Sequence, residues 1–168
     1  LLMTATPLAM DHLGMAFDST AVIIQWHIVG MFAPSFFTGN LIHRFGVLRI
    51  MFVGALLLFT CAVVALSGQL YGHFFIGLVL LGIGWNFLFI GGTTLLTDVY
   101  LPAEKGEIQG INEFLVFSAT ALTAFSSGYL HHTLGWVKLN QYTMPVIGFA
   151  ATIILLLGWQ QRRQLLRD

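Results

Sequence analysis

Few residues in this 168-residue chain are able to do chemistry, and most of them sit among apolar neighbours. In Gly82-Ile-Gly-Trp-Asn-Phe-Leu-Phe-Ile-Gly-Gly92, Asn86 carries two donors and an acceptor through a stretch, 74–97, with no ionisable side chain. Such an amide either binds a polar group of another helix or lines a cavity. Trp85 beside it points about 100° away around a helix, so the pair can share one cavity only at its two edges. Gln25, Trp26 and His27 form a second polar and aromatic group, in which His27 can titrate near neutral pH. Glu113 follows Asn112 shortly after the charged segment Glu104-Lys-Gly-Glu107. It is a candidate for proton coupling or for an interfacial ion pair, with Lys105 or with a basic loop elsewhere. Ser127 and His131 are four apart, hence on one helix face, but no third carboxylate orients them as a nucleophile and base. His73, His131 and His132 have no spacing that converges on a metal, and no metal site is expected.

The elements that position these groups follow from the charge map. The chain is 57% hydrophobic and only 8% charged, with a mean hydropathy of +0.85. Soluble domains carry about 25% charged residues, so lipid is the better solvent for this surface. Net charge is zero and there is no basic patch with interleaved aromatics, so nucleic acid is not an expected partner. The lone Cys61 excludes an internal disulfide and reads as a packing residue.

Uncharged runs of 25, 48, 24 and 23 residues separate Asp18 from Arg44, Arg49 from Asp98, Glu113 from Lys138 and Lys138 from Arg162. A spanning helix needs about 20 apolar residues, so the run of 48 holds two. Its break falls at Ser67-Gly-Gln-Leu-Tyr-Gly-His73. The expected fold is all-α, a polytopic membrane bundle with five full transmembrane helices over 19–43, 47–67, 73–97, 108–131 and 142–161. Residues 1–10 are apolar but cover only about 15 Å as helix, half a bilayer core, and read as a partial transmembrane helix. The whole of 1–168 forms a single membrane domain, and Pro34 suggests a kink in the first full span.

Alternating ends place Arg44, Arg49, Lys105, Arg162, Arg163 and Arg167 on one side and Lys138 on the other. The positive-inside tendency then makes the tail 162–168 cytoplasmic and the turns near 11–18, 67–73 and 132–141 external. Tyr71, Tyr100, Trp136, Tyr142 and Trp159 fall near helix ends, at headgroup level. The glycines of the opening stretch do not complete G-x-G-x-x-G, because position 87 is Phe. No cofactor is expected, and the chain is not expected to be an enzyme.

The segment Gly39-Asn-Leu-Ile-His-Arg-Phe-Gly-Val-Leu-Arg49 joins two spans on the basic side. It resembles the loop signature of the major facilitator superfamily, G-x-L-x-D-R-x-G-R-R or close variants. Gly39, Leu41, Arg44, Phe45 and Gly46 match, His43 replaces the acidic residue, and Val47 with Leu48 replaces the basic pair, of which Arg49 retains one charge. Gly39 and Gly46 are expected to permit a tight turn and a close helix approach. "MTATPLAM", "GWNFLFIGGTTLL" and "LPAEKGEIQGINEF" look like one broad bacterial group of the same superfamily.

The resemblance covers essentially the whole chain as helices 7 (partial) to 12, the C-terminal half of a 12-helix fold. It implies alternating access around a midplane site and a small organic solute moved by its own gradient or by protons. It also implies a latch role for the loop, an absent N-terminal six-helix half as partner, and a multi-pass place in the bacterial inner membrane. On this reading Asn86, Trp85, Gln25 and His27 are substrate-binding candidates. An assembly subunit that transports nothing is the alternative, and an intramembrane enzyme a remote third.

Overall fold

The computed structural model describes residues 1–165; Arg167 and the rest of 166–168, at the end of the expected tail, lie outside them. Helices α1 (Leu2–His12), α2 (Phe17–Phe32), α3 (Ser35–Phe45), α4 (Val47–Ser67), α5 (Tyr71–Leu96) and α6 (Lys105–Leu165) follow one another, with one 3-10 turn at Pro102–Glu104 before α6. No strand occurs among the described residues. The fold is a helical bundle. Helices α4, α5 and α6 are each long and apolar enough to cross a membrane, and the bent pair α2–α3 makes a fourth such unit.

The region expected as one span over 19–43 is two helices meeting at 42°. Pro34 accounts for the break: it has no N–H to donate, and its ring crowds the carbonyl one turn back. The last bond of α2 runs from the Ala33 N–H to the Val29 carbonyl. The ladder then restarts, with Phe37 and Thr38 both donating to the Pro34 carbonyl.

Between α3 and α4 the chain turns on one residue. Gly46 has φ 88° and ψ 145°, a conformation that a side chain resists. Gly39 does not share this task. It lies inside α3, and a Cβ there would meet nothing within 4 Å, so the expectation of a turn or a close approach at Gly39 is corrected. Helix propagation through Thr38 to Phe45 leaves no turn for it to make.

A single glycine also divides α6. Its 61 residues would run about 90 Å if straight, three times a hydrocarbon core. Gly135, at φ 73° and ψ 168°, interrupts them, leaving arms over 105–134 and 136–165. Where a turn was expected across 132–141, the helix instead persists on both sides of this one residue. Trp136, the first residue of the second arm, lies beside the ends of α4 and α5 and is turned into the bundle. It is 7% exposed, donates from Nε1 to the Ala65 carbonyl at 3.2 Å, and packs against Phe74 with ring centroids 5.2 Å apart.

Helix α5 occupies the middle, against α2 on one side and α4 on the other, and α6 covers both α4 and α1. The core lies toward the end of the bundle that holds Trp136 and includes Ala5, Met10, Ile23, Cys61, Phe74 and Leu78. Cys61 is buried there as a packing residue.

Candidate functional site at the broken span

The middle position of α5 rests on its glycines. A Cβ on Gly82 would lie 2.5 Å from the His27 carbonyl oxygen and 3.0 Å from the Met31 nitrogen, both on α2. A Cβ on Gly84 would lie 2.9 Å from the Gly54 carbonyl oxygen on α4. Two residues apart on a helix is about 200° of rotation, so these glycines admit neighbours on opposite faces. "GIG" is the sequence of a helix with a backbone pressed against each side.

Asn86 lies one turn beyond Gly82, on the face that meets α2. It is 2% exposed. Its Nδ2 donates to the Met31 carbonyl at 2.7 Å and to Ser35 Oγ at 2.7 Å, and its Oδ1 accepts from Thr38 Oγ1 at 2.8 Å. A carbonyl can only accept, which fixes the orientation of the amide. Thr38 Oγ1 also lies 2.8 Å from the Pro34 carbonyl, so its one proton is shared between two acceptors. Met31 ends α2, while Ser35 and Thr38 begin α3. One side chain of α5 therefore binds both sides of the Pro34 break.

Groups freed at a helix break must find partners when water is scarce. Asn86 supplies them for the Met31 carbonyl and for both hydroxyls, and both of its own protons are used in doing so. Ser35 and Thr38 are the members that sequence reasoning missed. Their signal was two hydroxyl residues within four positions of Pro34.

His27 is a second strap. It is 2% exposed, and its Nδ1 lies 2.8 Å from the Leu78 carbonyl on α5. Because the carbonyl accepts, Nδ1 carries the proton. His27 and Asn86 thus bridge α2 to α5 on either side of Gly82.

None of the other predicted residues shares a hydrogen bond with this joint among the described residues. Trp85 is half-buried and stacked on Phe89, with centroids 4.6 Å apart and planes within 10°. Gln25 is exposed on α2. Glu113 is half-buried on the first arm of α6, eight residues from Lys105. Neighbouring turns pair at spacings of three or four, so the expected ion pair with Lys105 is not one of adjacent turns. Ser127 Oγ donates to the Ala124 carbonyl at 2.7 Å, and the His131 ring stands edge-on to His12, 6.2 Å between centroids. In the loop motif Leu41 is half-buried, Arg44 and Arg49 are exposed, and the Arg44 guanidinium lies 5.3 Å from the Phe45 ring centroid.

The family model described as Major Facilitator Superfamily matches residues 1–167. The chain belongs to the Major Facilitator Superfamily. Among its relatives, the "Riboflavin transporter RfnT" of Brucella anthropi is 46% identical over 154 residues, covering 92% of this chain and 39% of that protein. "Uncharacterized MFS-type transporter YddS" of Bacillus subtilis is 33% identical over 167 residues, covering 96% of this chain and 37% of that protein. "Uncharacterized MFS-type transporter YdeG" of the same organism is 33% identical over 131 residues, covering 77% and 30%. The chain thus spans less than two fifths of the length of these relatives. No solved structure matches it. Membership in this superfamily, together with the long apolar helices, makes the chain part of a multi-pass membrane protein.

Proposed function

We propose that this chain forms the second six-helix half of a superfamily transporter that moves a small planar organic solute of the riboflavin class by alternating access. The observation that carries the proposal is the 46% identity, over nearly the whole chain, to a protein named as a riboflavin transporter. The geometry around α5 is compatible with it. The Trp85–Phe89 stack offers a flat aromatic surface to a planar ring, and such pairings prefer this offset-stacked arrangement. Gln25 offers an amide to the polar groups of the solute. Asn86 and His27 act by fixing the wall, because their bonding capacity is spent on α2, α3 and α5.

In this reading the broken span α2–α3, strapped to α5, moves with it as one body when the two halves rock. Glu113, an ionisable group on a membrane helix, is the candidate for a proton-coupled step or for an interfacial ion pair. The basic ends at Arg44, Arg49, Arg162 and Arg163 face the cytoplasm of a bacterial cell, following the positive-inside tendency. The test is uptake of labelled riboflavin by riboflavin-auxotrophic bacteria expressing the intact gene product. Uptake well above the empty-vector control supports the proposal; uptake equal to the control, with the protein present in the membrane, overturns it. That negative result is also what an assembly subunit without transport activity would give.

A further inference from the structure

A concavity lies away from Asn86, where the α3–α4 turn meets the end of α6. It holds about 620 Å3. Leu48, Ile154, Leu155 and Trp159 give it apolar walls, and Arg49 and Arg162 stand among them. Leu48 reaches across to Gly158, where a Cβ would lie 3.8 Å from its methyl group. Two more guanidinium groups stand over rings that line the groove. Arg44 lies over Phe45 at 5.3 Å, and Arg163 lies over Trp159 at 3.5 Å. No carboxylate occurs among the described lining residues.

Four like charges gathered on an apolar groove repel one another and attract an anion. Guanidinium groups suit phosphate in particular, because their planar donor fork matches its oxygens. A free inorganic anion would leave the walls of Leu48, Ile154, Leu155 and Trp159 without a complement. A molecule with a phosphate head and an acyl chain answers both features, and basic pockets between membrane helices are suited to such head groups.

We infer that this groove binds an anionic phospholipid. The phosphate is held by Arg49 and Arg162, with Arg44 and Arg163 in support, and an acyl chain lies against Leu48, Ile154 and Leu155. The inference rests on the membrane character of the chain and is independent of the transported solute.

The test is native mass spectrometry of the intact gene product, released from detergent and titrated with phosphatidylglycerol or with phosphatidylcholine. Phosphatidylglycerol is expected to bind more tightly, and Arg49→Gln with Arg162→Gln to weaken it roughly thirtyfold. The paired lysine substitutions, Arg49→Lys and Arg162→Lys, are expected to restore most of that affinity. Unchanged phosphatidylcholine adducts in every variant establish that the protein remains folded. Equal retention of the two lipids, or a glutamine variant that keeps its preference for phosphatidylglycerol, overturns the inference. Displacement of the lipid by millimolar glycerol 3-phosphate also overturns it, since the site would then take a soluble phosphate and make no use of the chain.

Discussion

The Asn86 amide donates to the Met31 carbonyl over 2.7 Å, from the middle of one long helix to the last turn of another that stops at a proline. The same amide reaches Ser35 just past the break, so α2 and α3 are held at their joint by a residue 51 to 55 positions away. The asparagine in an apolar run is thereby explained: it closes a wound in a neighbouring helix.

Replacing Asn86 with Leu should lower stability by about 1–2 kcal/mol, because it removes the donor to the Met31 carbonyl and to the Ser35 hydroxyl, while Thr38 keeps its bond to the Pro34 carbonyl. Thermal denaturation of the detergent-solubilised gene product measures this. Asn86→Gln, which has the same groups but carries them one methylene too far out for a closely packed site, should fall between Leu and the wild type. A Leu variant as stable as the wild type would refute the clamp.

The close approach of α5 to α2 makes a sharp comparison between glycines. Gly82→Ala places a methyl group 2.5 Å from the His27 carbonyl and should cost about 1–3 kcal/mol. Gly92→Ala meets open space and should be neutral or slightly stabilising, by about 0.5–1 kcal/mol of helix preference. The same melting experiment reads both.

The loop motif supplies a second pair. Gly46→Ala forces a side chain into a positive-φ conformation and should destabilise by about 1–3 kcal/mol. Gly39→Ala, in an open position within α3, should leave the melting temperature unchanged or raise it. If the two behaved alike, the α3–α4 connection would not turn on Gly46.

In the proposed function Trp85 bears on the solute. Loss of its stacking surface in Trp85→Ala should raise the KM for riboflavin about two- to tenfold, whereas Trp85→Phe should keep most of the affinity. Initial rates of uptake over a range of concentrations separate this from a change in kcat.

Much of this fold could be read from charge spacing alone, since uncharged runs of 20 or more residues have one good solution in lipid. Pro34 announced the break between α2 and α3. What stayed hidden were relations between distant positions. The partners of Asn86 lie on other helices, and composition near position 86 says nothing about Met31, Ser35 or Thr38. Gly135 was misjudged for a related reason: a turn was expected to need several residues, yet one glycine at positive φ reverses the course of α6. Trp136, next to it, was drawn inward by the packing this allows, against Phe74 and the Ala65 carbonyl. Gly39 looked like a turn residue only because the motif around it suggested a loop longer than one residue.

Counterflow in proteoliposomes addresses transport most directly. The purified intact gene product is reconstituted into vesicles preloaded with unlabelled riboflavin, and labelled riboflavin is added outside at low concentration. Alternating access predicts a transient accumulation of label above the outside concentration, absent from protein-free vesicles. Label that only equilibrates, or that enters no faster than through lipid alone, would contradict it.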